Sequence, residues 1–369
     1  MKKIHLLYFK SLLFLPVLLV VAAVNYTQDP ANIFMFGEAK VAQALIDGHM
    51  VTDCTLSPSG ERLLQKFYIE QKAAAPEVVL LGSSHTMEIS SKYFHGQSFF
   101  NHTVAGATLE DYIALYGYYK KSGKLPKTVI ITVDPWMFNI NYQMTYWKTI
   151  ADSYDWMMAR QGHVSHEIKF RPSQLIPEKL GQMFSFYYFQ QIFVYLKESG
   201  FKLKAGKNAH SAYAFRITTE RYNELTTIAP DGSRIPDRAL RETTPEEIRA
   251  NTMAFFAETG ERRHAGFNRI DPGVRKNFEF LVSTIQQDGV KVVLLLLPYH
   301  PYVYQSFKEK NFALIHQFED DLNRYADEHG IEVSGSYDPF ILGAKEGDFL
   351  DGVHFKEAVL DLVLAGNRI

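Results

Sequence analysis

The sequence predicts an α/β protein: three α/β/α layers around a mainly parallel five-stranded sheet, with an N-terminal transmembrane helix ahead of the sheet and a largely helical insertion within it. Three observations carry this. Five short apolar runs recur along the chain, helical periodicity separates most of them, and the first two dozen residues form a lysine-led apolar stretch. With 46% hydrophobic residues in 369, the chain has the ordinary composition of a packed globular protein, enough for one large domain or two modest ones.

In chain order, Met1-Lys2-Lys3 precedes a largely apolar run over residues 4–24, interrupted only by His5, Lys10 and Ser11. Crossing a bilayer takes roughly 20 such residues. Lysines ahead of the run favour a cytoplasmic N-terminus and export of the remainder. Val21-Ala22-Ala23 is a passable cleavage site, so a removed signal peptide competes with a retained anchor. The anchor is favoured because the stretch is long for a signal and residues 25–36 stay rich in apolar side chains. Residues 1–25 are therefore expected to be anchor or signal, and residues 26–369 the α/β domain.

Residues 38–71 read as helices, with Val41, Ala44 and Leu45, then Leu63, Leu64 and Phe67, at helical spacing. Glu77-Val78-Val79-Leu80-Leu81-Gly82 then breaks the pattern as a continuous apolar run, the signature of a strand buried on both faces of a parallel sheet. Similar runs follow at 98–104, 128–133, 291–297 and, more weakly, 331–333, with helical patterns over 109–121 and 271–287. Strands alternating with helices imply right-handed crossovers and a doubly wound sheet. The interval 136–270 departs from this rhythm: it is aromatic and helix-leaning, with a turn at Pro230-Asp231-Gly232-Ser233. An insertion leaving the carboxyl edge of such a sheet lies near the ligand crevice. Its aromatic cluster of Phe184, Phe186, Tyr187, Tyr188 and Phe189 fits either stacking on sugars or a core or partner-facing helix.

Composition excludes some functions. With 39 basic and 41 acidic residues the net charge is −2, so no global field points to nucleic acid. Cys54, the only cysteine, provides neither a disulfide framework nor a metal cluster, and leaves the redox compartment open.

Two motifs suggest chemistry. Leu81-Gly82-Ser83-Ser84-His85-Thr86 lies where the first buried strand ends, placing a serine at the sheet's carboxyl edge. It lacks the second glycine of a G-x-S-x-G elbow and, taken alone, is an ordinary turn. Asp351-Gly352-Val353-His354-Phe355 precedes an apolar-periodic helix. There an aspartate can hold one imidazole nitrogen while the other faces a serine hydroxyl, activating a poor nucleophile. Alone, this too reads as an Asp-Gly turn.

Together the two motifs resemble the SGNH (GDSL-like) hydrolase superfamily, a flavodoxin-like α/β fold that opens with Gly-x-Ser after its first strand and closes with Asp-x-x-His before its last helix. The resemblance assigns the nucleophile to Ser84, the orienting acid to Asp351 and the base to His354. Asn101-His102-Thr103-Val104-Ala105-Gly106 resembles the second block, which makes the N–H groups of Ser84 and Gly106 the oxyanion donors. Leu297-Pro298-Tyr299-His300-Pro301 resembles the end of the fourth strand, and His85, Trp136 and His300 are candidates for lining the substrate crevice. The match spans residues 77–363 without the insertion.

One block departs from the family. Its third block is Gly-x-Asn-Asp, whose asparagine donates to the oxyanion, whereas here the strand ends Thr132-Val133-Asp134-Pro135-Trp136. Losing one such donor costs about 3 kcal/mol of transition-state stabilisation. A strand ending in Pro-Trp behind an N-terminal membrane segment is similar to the D-alanyl transfer proteins of teichoic acid synthesis and, more loosely, to anchored O-acetyltransferases such as those of alginate. These relatives imply a single-pass membrane protein with an extracytoplasmic domain that moves an acyl group onto or off an envelope polysaccharide beside a membrane-bound O-acyltransferase. No cofactor is implied. The alternative is a catalytically weak descendant that binds polysaccharide or scaffolds an export complex. His300, His354, Asp338 and Asp351 are the one set placed to converge on a cation at the sheet's carboxyl edge, yet no H-E-x-x-H-type pair exists and no metal is expected.

Overall fold

A computed structural model describes residues 15–28, 37–54, 56–141, 144–161, 183–198, 215–255, 269–309 and 313–364. Strands and helices are numbered along the chain. The five predicted strands are all present, as β2 (Val78–Leu81), β3 (Phe99–Asn101), β4 (Thr128–Thr132), β8 (Lys291–Leu296) and β9 (Glu332–Gly335). They pair in parallel throughout, in the order β3-β2-β4-β8-β9. Among these five the spatial order is 2-1-3-4-5, a common doubly wound arrangement whose ligand crevice opens at the carboxyl ends of the first and third strands. Those strands are β2 and β4.

The continuous apolar runs have a direct structural cause. Val79, Leu81, Val129, Ile131, Leu294 and Leu296 pack into one layer, and Val78, Leu80, Ile130, Val293 and Leu295 into the other. Each is at most 1% exposed, so both faces of the sheet are interior.

The helices are α1 (Leu15–Gln28), α2 (Gly37–Ile46), α3 (Pro58–Gln71), α4 (Leu109–Ser122), α5 (Ala151–Met158), α6 (Phe186–Glu198), α7 (Arg238–Arg241), α8 (Pro245–Phe255), α9 (Pro272–Gln287), α10 (Pro301–Glu309), α11 (Ala313–His329), α12 (Pro339–Leu342) and α13 (Glu357–Leu364). Helices α4, α9 and α11 cover the first face through Tyr112, Phe278 and Phe318; α13 covers the second through Val359 and Val363. Their ends are set by local chemistry. Asp271 accepts from the N–H groups of Gly273 and Val274 with Pro272 at the first position of α9, and α4 runs from a Thr108/Asp111 capping box to Gly123, whose φ of 68° closes it.

A second sheet differs from expectation. Strands β1 (Met50–Thr52), β5 (Arg216–Thr218), β6 (Thr227–Ile228) and β7 (Arg234–Ile235) form an antiparallel sheet in the order β5-β1-β6-β7. The described part of the insertion is thus not simply helical. Strands of two or three residues are too short to register as an alternation in sequence. The turn between β6 and β7 docks on the main sheet: Asn101 N–H donates to Asp231 O at 2.8 Å and Arg234 N–H to Met87 O at 2.6 Å. A side chain at Gly232 would bring its Cβ to 2.5 Å from Asn101 O.

The transmembrane helix expected at residues 4–24 is not found among the described residues, where no helix is long and apolar enough to cross a membrane. Residues 1–14 lie outside them. Helix α1 has 14 residues, about 21 Å at 1.5 Å per residue. Its face of Val21, Ala22, Asn25 and Gln28 is buried, and Asn25 Nδ2 donates to the carbonyls of Met183 and Ser185 at the start of the aromatic helix α6. Of the aromatic cluster, Phe184, Phe186 and Tyr187 are exposed; the Tyr188 side chain lies outside the described set.

Candidate active site

The serine loop is built by short hydrogen bonds. Directly after β2 the chain makes a 3-10 turn, Ser84–Thr86, capped by Ser83, whose Oγ accepts from His85 N–H at 3.3 Å. Thr86 N–H and Oγ1–H both donate to Ser83 O, and Asn101 Nδ2 clamps the carbonyls of Thr86 and Ile89 at 2.6 and 2.9 Å. Gly82 is required because a Cβ there would overlap Thr86 Oγ1. The loop also separates its two serines: Ser83 is fully buried, whereas Ser84 is partly open.

After β3 the backbone reaches Gly106 at φ 57°, a left-handed conformation suited to glycine. Arg62 holds this stretch from below. Its guanidinium donates to the carbonyls of Ala105 and Gly106 at 3.2 and 3.3 Å and forms a bidentate pair with Asp111, both contacts 2.7 Å and both side chains fully buried. Glu61 completes the clamp by accepting from Ala105 N–H at 2.6 Å. Among the described residues, the N–H groups of Ser84 and Gly106 have no acceptor.

The Asp-x-x-His motif is a closed loop between β9 and α13. Phe349 and Phe355 form an antiparallel bridge, and Leu350 N–H donates to His354 O at 2.7 Å. Asp351 Oδ1 accepts from the N–H groups of Val353 and His354, each at 2.8 Å, while Oδ2 lies 2.7 Å from His354 Nδ1. Burial pushes the Asp351 carboxyl up, but the imidazole and the N–H donors outweigh it and hold the group at about 2. Asp351 thus engages Nδ1, the ring nitrogen opposite Nε2. Ser84 Oγ makes no hydrogen bond among the described residues. Ser84, Asp351 and His354 share a sheet edge, and the imidazole of His85, next to Ser84, lies 5.6 Å from that of His354. Catalytic hydrogen bonds often tighten only when substrate is bound.

A second acid–imidazole pair stands in the same crevice. His85 Nδ1 lies 3.3 Å from Asp134 Oδ1, with side chains 3% and 4% exposed, and Trp136 packs edge-on against the His85 ring at 4.7 Å. Asp134 follows β4, where the resemblance expects the oxyanion asparagine. Asn139, by contrast, is bridged to Ile270 away from the strand end. The sequence marked His85 and Trp136 but not the acid that pairs with His85. The only available signal was an aspartate at the carboxyl end of the third strand, adjacent in space to the exit of β2.

Two further histidines, His300 and His102, have structural settings. His300 is 1% exposed; its Nδ1 accepts from Tyr302 N–H at 3.1 Å and its backbone N–H donates to Gly352 O, tying α10 to the Asp351–His354 loop. Burial pushes its imidazole down, against the pull of Glu346 and Asp351. His102 is held between Gln65 Oε1 and Tyr119 OH at 2.7 and 2.6 Å, and burial lowers it to about 3. Among the described residues no group of three or more side chains is arranged to hold a metal ion.

Glu88, four residues after Ser84, is partly buried, and desolvation raises its carboxyl to about 7 against the opposing pull of His354. A carboxyl raised from 4.5 in the unfolded chain favours folding fully below 4.5 and loses that contribution as pH rises through 7. Glu88→Gln is neutral at every pH. Urea unfolding at pH 8 is expected to find this variant more stable than the parent by on the order of 2 kcal/mol, with the gain gone at pH 4.5. Equal stability at pH 8 would show that the carboxyl is ordinarily solvated.

No protein-family model matches the chain, and no curated protein matches it.

Proposed function

We propose that the chain is a serine-centred esterase or O-acyltransferase of SGNH type, tethered outside a membrane and acting on an acylated envelope polysaccharide beside a membrane-bound O-acyltransferase. The observation that carries this reading is the pairing of Asp351 Oδ2 with His354 Nδ1 at 2.7 Å on the same sheet edge as the glycine-bounded Ser84 turn. Ser84 Oγ attacks the acyl carbonyl and its proton passes to His354 Nε2, while Asp351 fixes the ring and balances the imidazolium. The unengaged N–H groups of Ser84 and Gly106 receive the oxyanion. Collapse of the tetrahedral intermediate breaks the ester bond, and His354 returns the proton to the departing hydroxyl. A sugar hydroxyl or water, deprotonated by the same imidazole, then takes the acyl group from Ser84, whose departing Oγ recovers the proton from His354.

Asp134 favours a second reading, because a carboxylate cannot replace the missing donor and a weak descendant could serve as a polysaccharide-binding scaffold. Fluorophosphonate labelling separates the two. The full chain is expected to label on Ser84 and Ser84→Ala to remain unlabelled; a folded parent chain that does not label supports the scaffold.

A further inference from the structure

A cavity of about 180 Å³ lies between the accessory sheet and the catalytic loop. Glu88 enters it from the serine loop, Arg221, Tyr222 and Arg241 from the insertion, and Lys356 from two residues beyond His354. Leu350, on its wall, is the residue whose N–H donates to His354 O, so the cavity abuts the acid–imidazole pair.

Its charges do not cancel. Arg234 also lines the cavity but is paired with Glu61 at 2.5 Å, and Glu357 is paired with Lys92. Among the described residues Arg221, Arg241 and Lys356 pair with no carboxylate; neutral groups hold the last two in place instead. Arg241 donates to the carbonyls of Pro236 and Asn223 and lies 5.2 Å from the centre of the Tyr222 ring, which Arg221 approaches at 6.0 Å. Lys356 Nζ donates to Gly347 O at 2.9 Å. A carbonyl or an aromatic face positions a cation without neutralising it. Three cations without a carboxylate partner, two of them held in place, outnumber the remaining carboxyl of Glu88. Beside the proposed acyl-transfer site they suit an anionic group, because guanidinium and ammonium bind carboxylate and phosphate oxygens by charge-assisted hydrogen bonds. The volume is below that of pockets that enclose a drug-sized ligand, and fits one charged unit of a chain passing through.

We propose that this cavity is an anionic subsite of the acceptor polymer, binding a carboxylate or phosphate on the unit next to the one that exchanges its acyl group. The inference rests on the acyl-transfer reading and adds a substrate class to it. It also gives the accessory sheet a role, since the β6–β7 turn that docks on the serine loop brings the basic residues to the site.

The test is calorimetric titration of full-length Ser84→Ala, which binds without turning over. The titrants are trigalacturonate for carboxylates, glycerol 3-phosphate for phosphate and maltotriose as the neutral control. One of the anions is expected to bind, and the one that does identifies the source of charge. Adding Arg221→Gln and Lys356→Gln should weaken that binding at least ten-fold, and Arg221→Gln alone, an exposed substitution, should weaken it measurably. Absence of anion binding, equal binding of maltotriose, or affinity unchanged by both substitutions overturns the proposal. Fluorophosphonate labelling of the parent chain keeps the two readings apart: labelling without anion binding refutes the subsite alone, whereas anion binding without labelling refutes the serine chemistry.

Discussion

His354→Ala is expected to lower hydrolysis of a p-nitrophenyl ester by about 10⁴- to 10⁶-fold, with KM nearly unchanged. The imidazole provides the only base that the Asp351 loop presents to the serine edge, so its loss falls on the transition state rather than on binding. Asp351→Asn should cost about 10⁴-fold, because an amide facing Nδ1 no longer fixes the tautomer that exposes Nε2 to the serine. The two losses should not add, since both residues act through one proton transfer. As the Asp351 carboxyl is held at about 2, its own protonation contributes nothing to the acid limb of a pH–rate profile above pH 4. A loss of less than ten-fold for either variant would remove this pair from the mechanism. Steady-state kinetics from pH 4 to 9 provide the measurement.

The largest stability effect is expected at Arg62. Arg62→Ala leaves the Asp111 carboxylate charged and fully buried, and breaking a buried pair from one side costs about 3–5 kcal/mol. In thermal unfolding of a chain this long, this corresponds to a midpoint lowered by roughly 5 °C. Removing both partners by Arg62→Met with Asp111→Leu should recover most of the loss, because the penalty lies in the orphaned charge. The double variant should still hydrolyse esters poorly, since it recovers no donor for the carbonyls of Ala105 and Gly106. A single variant within 1 kcal/mol of the parent, or a double variant no better than the single, contradicts this account.

The parts of the molecule legible in sequence were those with a local signature. Val78–Leu81, Thr128–Thr132 and Lys291–Leu296 announced themselves because both faces of each strand are interior, which makes an unbroken apolar run. Ser84, Asp351 and His354 stood out as candidates because each lies within two residues of a glycine, in a recognisable order, and the structure brings their two loops to one sheet edge. Groups joined only through space were not. Arg62 meets Asp111, and His85 meets Asp134, across many intervening residues with no periodicity to mark either pair. The accessory sheet escaped for a different reason: Thr227–Ile228 and Arg234–Ile235 are each two residues long, and their pairing is specified by the turn between them and by contact with β3.

The pairing of β4 with β8 also bears on how the chain reaches its native state. Thr128 lies opposite Lys291 and Thr132 opposite Leu295, with the whole insertion between them in sequence. During synthesis β2, β3 and β4 emerge early and can pair among themselves, but β4 remains a bare edge whose five residues are all interior in the finished protein. Such an edge invites pairing with other chains until its own partner arrives. Sheets closed by distant segments fold slowly, so this chain combines a long-exposed apolar edge with late completion. Its last third, which brings both β8 and the Asp351–His354 loop, is what caps that edge. Nascent copies truncated before residue 291 lack the strand that covers β4 and are expected to aggregate.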